Sequence, residues 1–211
     1  MKFILFVSPG RCGTRRLYEI LNKNMASEHY VVKHQMDHSR LANIIGNVLY
    51  YFGNSESIKS YIFNKISLKH LSKETFICTD PLTSMIIPEK VIKDNETVII
   101  QISRNGEDFA RSFFKRTRDK WKSFVAHNFI PFWQIGILPF ENLINKNIKN
   151  KYIKVSELKH NWFNKNYSMN PNYEVISMEE MFNDNKIELL LNKHIRHKII
   201  IPPEELKIKS N

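Results

Sequence analysis

Phe3-Ile4-Leu5-Phe6-Val7-Ser8-Pro9-Gly10-Arg11-Cys12-Gly13-Thr14-Arg15-Arg16 is the stretch on which the reading turns. Five consecutive apolar residues, Phe3–Val7, describe a strand buried on both faces. Ser8–Gly13 is a small-residue turn. Thr14–Asn24 then carries Leu17, Ile20 and Leu21 at helical spacing. A buried strand, a tight glycine turn and a helix in immediate succession form the opening unit of an α/β sheet.

The same alternation continues along the chain. His29–Lys33 predicts a short second strand. Arg40–Phe52 predicts a helix with Leu41, Ile44, Ile45, Val48 and Leu49 on its apolar face, and Ser55–His70 a less regular one. Thr75–Thr79 is a strand stopped by Asp80-Pro81, and Pro88–Lys93 a short helix. Thr97–Ser103 is the clearest later strand and leads into a helix over Glu107–Lys120. Trp121–Lys151 is aromatic-rich and without clear period. Lys151–Lys165 predicts a helix, Tyr173–Met178 a strand, Glu179–Ile195 a helix, and Ile199–Asn211 an extended or capping end. Strands separated by helices give a three-layer α/β fold with a mostly parallel sheet, read as a single domain over residues 1–211. Ligands in such folds sit at the carboxyl ends of the strands.

Composition narrows the partners. The chain has 211 residues, 42% apolar and 25% charged, which excludes a disordered or collagen-like protein. Lys and Arg number 32 against 21 Asp and Glu, so the formal charge is +11 and the expected partner is anionic. No apolar run approaches the roughly 20 residues of a membrane helix, and Phe3–Val7 is too short for the apolar core of a signal peptide. Two cysteines, Cys12 and Cys78, do not make a disulfide framework, so a reducing, cytoplasmic setting is expected. No His/Cys/Asp group has metal-ligand spacing, and no metal is expected. His194 and His197, three apart, read as a solvated basic face.

Glycine is scarce, with six in the chain, and Gly10, Gly13 and Gly106 mark two strand ends. The first turn has the chemistry of a phosphate cradle. Amides at a helix start are unpaired and the helix dipole adds positive charge there. Arg11, Arg15 and Arg16 crowd three more positive charges into six positions, which opposes the dipole and is relieved by a bound anion. The turn is not a Walker A loop, because Gly13 is followed by Thr14 and no Gly-Lys pair is present. In the second turn, Arg104 stands at a strand end and Ser112 lies two helical turns on. Both can reach one anion, or Arg104 can instead pair with Glu107 or Asp108. Cys12, beside a helix start and arginines, sits where a thiol pKa falls. A C-x5-R phosphatase loop would need Arg where Tyr18 stands, so Cys12 reads as a loop-filling residue.

These residues resemble the sulfotransferases that use 3′-phosphoadenosine 5′-phosphosulfate (PAPS), a family of P-loop-like α/β fold. Gly10-Arg11-Cys12-Gly13-Thr14-Arg15-Arg16 is similar to the family's 5′-phosphosulfate loop, with Arg11 at its basic position. Ile99–Arg104 followed by Ser112 is similar to the strand, arginine and serine that hold the 3′-phosphate; Gly106 stands where the family has proline. Tyr173–Met181 resembles a late family strand, and Trp162 with Asn166 a recurring tryptophan-containing helix. The resemblance implies a sulfotransferase with PAPS as sulfuryl donor, PAP as nucleotide product and a hydroxyl or amine acceptor. It implies Arg11, Cys12, Gly13, Thr14 and Arg15 around the 5′-phosphosulfate, and Arg104 and Ser112 at the 3′-phosphate. Relatives carry His-Glu after the second strand; here His34 precedes Gln35, so His34 is the leading base, ahead of His38, Asp37 and Asp80. The family's C-terminal G-x-x-G-x-x-K loop is missing, which leaves Pro202–Lys209 or the aromatic middle as a lid, or no lid. The alternatives are an ATP–magnesium phosphotransferase and a non-catalytic basic module for acidic glycan or nucleic acid. Against the module, no nucleic-acid motif is present. A nucleotide and a small acceptor or glycan are the expected partners, with no nucleic acid and no membrane span.

Overall fold

The computed structural model describes residues 2–25, 29–34, 37–67, 74–135, 148–183 and 186–206. Five strands, β1 (Lys2–Val7), β2 (Tyr30–Lys33), β3 (Thr75–Cys78), β4 (Val98–Ser103) and β5 (Tyr173–Ser177), form one sheet in the order β2-β3-β1-β4-β5. All four neighbouring pairs are parallel. The helices are α1 (Thr14–Met25), α2 (Ser39–Phe52), α3 (Glu56–Ser67), α4 (Glu89–Ile92), α5 (Gly106–Arg118), α6 (Trp121–Phe129), α7 (Ile148–Tyr167), α8 (Met178–Asn183), α9 (Lys186–His194) and α10 (Pro203–Leu206).

Strand alternation divides the core. Ile4 and Phe6 of β1, with Val98, Ile100 and Ile102 of β4, pack against Leu17, Ile20 and Leu21 of α1 and Ile187 and Leu191 of α9. Leu5, Val7 and Ile99 face the other way, onto Ala42, Phe63, Phe163 and Tyr167 of α2, α3 and α7. This is the three-layer arrangement that the buried strands anticipate. Gln101 is the polar exception in β4. It accepts a hydrogen bond from Tyr173 Oη at 2.6 Å and meets His160 Nδ1 at 3.1 Å. Left unpaired, a buried amide costs about 1–3 kcal/mol.

The connection from β1 runs through α1 towards β2, and that from β4 runs through α5 to α7 towards β5. The two leave in opposite directions. The carboxyl ends of β1 and β4 therefore flank a topological switch point, the place where open α/β sheets bind ligands.

Several elements depart from expectation. The residues of α2 that bury are Ser39, Ala42, Asn43, Gly46 and Asn47, while Leu41 is exposed. Asn43 and Asn47 donate to the carbonyls of Trp133 and Phe132 at 3.0 and 2.8 Å, and Gly46 lies against Met85. Close backbone approach and amide bonding, rather than apolar area, orient this helix. Trp121–Phe129, taken as irregular, is helical. Trp121, Val125 and Phe129, one turn apart each, face solvent, so no apolar face signals a core. Glu179–Ile195 forms two helices instead of one, and the C-terminal stretch contains α10. Of the two segments considered for a lid, residues 136–147 and 207–209 lie outside the described residues. Among the described residues, no helix is long and apolar enough to cross a membrane.

Candidate anion-binding site

The turn after β1 is held from both sides. Ser84 Oγ accepts from the Ser8 amide at 3.2 Å, and Ser8 Oγ accepts from the Gly10 amide at 3.2 Å. Gly10, Arg11 and Gly13 have φ of 97°, 57° and 73°. Gly13 is required twice over, since a Cβ there would also lie 2.5 Å from Phe182. Arg11 adopts the left-handed region without being glycine, a strained backbone of the kind that clusters at functional sites. Cys12 points inward, its thiol donating to the Gly10 carbonyl at 3.1 Å. Burial is the main cause that pushes this thiol up to about 12. The expectation of a lowered thiol pKa is thus overturned, because desolvation outweighs the nearby Arg104.

The turn after β4 meets the first one through side chains. Arg11 Nε and Nη2 donate to Ser112 Oγ at 3.2 and 3.0 Å across 101 residues of sequence. Arg104 Nη1 donates to the Arg11 carbonyl at 2.7 Å. Arg104 Nε is buried with no partner. Arg104 makes no pair with Glu107 or Asp108: Glu107 pairs with Lys149 at 3.3 Å and Asp108 with Arg111 at 3.4 Å. Because Ser112 Oγ accepts from Arg11, its own hydroxyl proton remains to donate elsewhere. Asn105 caps α5 by accepting from the Glu107 amide at 2.9 Å, which holds the start of this helix beside the strand end.

Two further cations join this group, and the motif reading missed both. Arg116 lies one turn beyond Ser112 on α5. Burial first, then the charges of Arg116 and Arg104, lowers the pKa of Arg11 below its ordinary value. Lys159 of α7 is 3% exposed, and burial brings its ammonium down to about 8. Among the described residues, no carboxylate contributes to the Lys159 shift. Ser156, one turn earlier on α7, has a buried hydroxyl without a partner. His127 is lowered to about 4, by burial and then by Lys159 and Arg116. One signal for Lys159 was present in the sequence. Tyr152, Val155, Lys159, Phe163 and Tyr167 recur every three or four residues, a buried stripe with a lysine at its centre.

An unpaired buried cation is destabilising, and an unmet buried donor costs about 1–3 kcal/mol. Such groups persist where a ligand supplies what the protein lacks. The arrangement therefore fits a polyanion lying across the ends of β1 and β4.

No protein-family model matches the chain, and no curated protein matches it. Its structure is similar to the crystal structure of a sulfotransferase from Alicyclobacillus acidocaldarius. The TM-score is 0.51 at 12% identity, over 99% of this chain and 85% of that one. The chain has a sulfotransferase fold.

Within this sulfotransferase fold the other expected site residues are placed as follows. His34, just past β2, has Nδ1 at 3.0 Å from the Thr79 carbonyl and 3.2 Å from Thr79 Oγ1, and its ring stacks on Tyr18 at 5.9 Å. A carbonyl only accepts, so Nδ1 carries a proton, and in the neutral imidazole Nε2 is the acceptor. Asp80 is buried and accepts from the Leu82 amide at 3.0 Å, capping the turn Pro81–Thr83 that leads to Ser84. Thr14 is buried at the start of α1. Arg15 is exposed and pairs with Glu19 at 3.1 Å, while Arg16 donates to the Glu205 carbonyl at 2.9 Å and lies over the Phe182 ring. Of the three clustered arginines, it is Arg11 that meets the second turn, through Ser112 Oγ and through its carbonyl to Arg104. His38 has φ of 64° at the start of α2. The reading of His194 and His197 as a solvated face is corrected. The His194 side chain is 8% exposed beside Glu174, and His197 lies beyond α9 against His29.

Proposed function

We propose that the chain is a single-domain sulfotransferase that moves a sulfuryl group from PAPS to a hydroxyl or amine acceptor. The observation that supports it most directly is the junction of the two turns. Arg11 binds Ser112 and Arg104 binds the Arg11 carbonyl, so two cationic loops 93 residues apart in sequence form one surface.

In this reading, Arg11 and the backbone amides of Gly13 and Thr14 hold the 5′-phosphosulfate, with Cys12 filling the loop from beneath. Arg104, through its unmet Nε, and Ser112, through its free hydroxyl proton, hold the 3′-phosphate. PAPS, when bound, supplies the sulfuryl group. The chain's own contribution is positioning and charge, the main means of catalysing in-line transfer of such groups. Arg11 and Lys159 place positive charge in a desolvated setting, where it acts more strongly than in water. Thr79 holds the His34 imidazole with Nε2 as acceptor for the acceptor's proton. Asp80 is assigned to positioning, since its cap carries Ser84 to the Ser8 amide. Arg15, paired with Glu19, is left at the outer edge of the 5′-phosphosulfate loop.

Thermal unfolding with PAP, with ATP plus magnesium and with neither tests this reading. A ligand that binds the folded state raises its stability with occupancy. PAP alone is expected to raise Tm. A rise with ATP–magnesium only would replace this reading with a phosphotransferase, and no rise with either would remove the nucleotide altogether.

A further inference from the structure

At the amino ends of the strands, opposite the cationic turns, three distant segments converge. His29 directly precedes β2, Glu74 directly precedes β3, and His197 follows α9. His29 Nδ1 is 3.3 Å from Glu74 Oε1. The His29 and His197 rings face each other at 4.6 Å with 24° between their planes. One donor atom from each of the three residues lies within 4.8 Å of the other two.

We propose that His29, Glu74 and His197 form a binding site for a zinc-like divalent metal ion. Two imidazoles and one carboxylate are the donor set of zinc and its neighbours, while magnesium and calcium prefer oxygen alone. Zinc bonds of about 2.0–2.2 Å place tetrahedral donors roughly 3.4 Å apart, so closure on the ion needs side-chain shifts of about 1–2 Å. Half-buried His29 and exposed Glu74 and His197 have room for such shifts.

The backbones beneath the donors are fixed, as a metal site requires. The Thr75 amide donates to the His29 carbonyl at 3.1 Å, and the Lys2 amide to the Glu74 carbonyl at 2.8 Å. Tyr30 Oη accepts from the His197 amide at 3.2 Å and donates to the His197 carbonyl at 3.3 Å. The three donors thus hang from β2, β3 and the C-terminal segment, already tied together by hydrogen bonds. That segment packs Ile199, Ile201 and Leu206 into the core face shared with α1, and Glu205 binds Lys23 and Asn24 near the end of α1. A metal here braces the C-terminal segment and, through it, the far end of the helix whose start forms the anion turn. Its role is structural, and the site stands whether or not the sulfotransferase reading holds.

The test uses the full chain without a histidine tag, freed of metal by chelation. Zinc is titrated by calorimetry, cobalt by visible absorption, and Tm is followed with zinc, with magnesium and with no metal. One zinc per chain, a tetrahedral cobalt spectrum and a Tm rise of about 5 °C at zinc well above its Kd are expected. His197→Ala and Glu74→Gln, both at exposed positions, are each expected to weaken zinc binding by about tenfold or more while leaving the metal-free Tm in place. Several results would overturn the proposal: no saturable zinc binding, equal binding by the wild type and both variants, an equal Tm rise with magnesium, or a cobalt spectrum abolished by Cys12→Ser.

Discussion

The two ends of the sheet treat their charges in opposite ways. At the amino end, basic side chains meet carboxylates: Lys193 and His194 share Glu174, Lys23 binds Glu205, and His29 lies against Glu74. At the carboxyl ends of β1 and β4, Arg11 and Arg104 donate to a serine hydroxyl and a backbone carbonyl, and no carboxylate acts on Lys159. The chain's charge of +11 says only that some anion is attracted. The contrast between the ends says where, because among the described residues the carboxyl end holds desolvated positive charge that no carboxylate neutralises.

Four substitutions sharpen or break that contrast. The largest effect is expected from His34→Ala, which removes the base beside the carboxyl end. Turnover should fall by about 10²–10⁴-fold with PAP affinity unchanged, and steady-state kinetics with a PAP titration would show it. A fully active variant excludes His34. Arg104→Ala comes next. It deletes charge-assisted donors to the 3′-phosphate, and PAP affinity should drop by roughly 10–100-fold without loss of Tm. Unchanged affinity in calorimetry removes the 3′-phosphate assignment.

Lys159→Met tests the unpaired charge through pH. The folded pKa is about 8 against an ordinary 10.5, so the unfolded chain binds more protons between those values. Stability of the wild type should therefore rise with pH across that window, by about 3 kcal/mol at most, relative to the variant. PAP affinity of the wild type should weaken as pH passes 8, by about tenfold, and the variant's should stay flat, because a neutral amine attracts no anion. Parallel pH profiles for the two proteins would place Lys159 outside the site. The smallest effect belongs to the amino end. Glu174→Gln removes a partly exposed partner and should shift Tm by only about 1–2 °C, with PAP affinity intact.

Much of the architecture was legible because it is local. Phe3–Val7 and Thr97–Ser103 are apolar runs that bury on both faces wherever they pair, and Leu17, Ile20 and Leu21 mark the face of α1 without reference to any neighbour. Gly10 and Gly13 announced a turn that needs positive φ, and that demand is set by the residue's own backbone. The spacing of Arg104 and Ser112 was likewise visible as a strand end followed by two helical turns.

What sequence by itself determined was the kind of each element and the presence of two cationic turns, since periodicity and turn chemistry act between near neighbours. Only the tertiary structure decided which charges remain unmet. It joined Arg11 to Ser112, sent Arg16 to Glu205, and turned α2 so that Asn43 and Asn47 face inward. It also brought His29, Glu74 and His197 to one corner. These outcomes depend on which distant segments pair and which groups lose water when they do, and no local pattern carries that information.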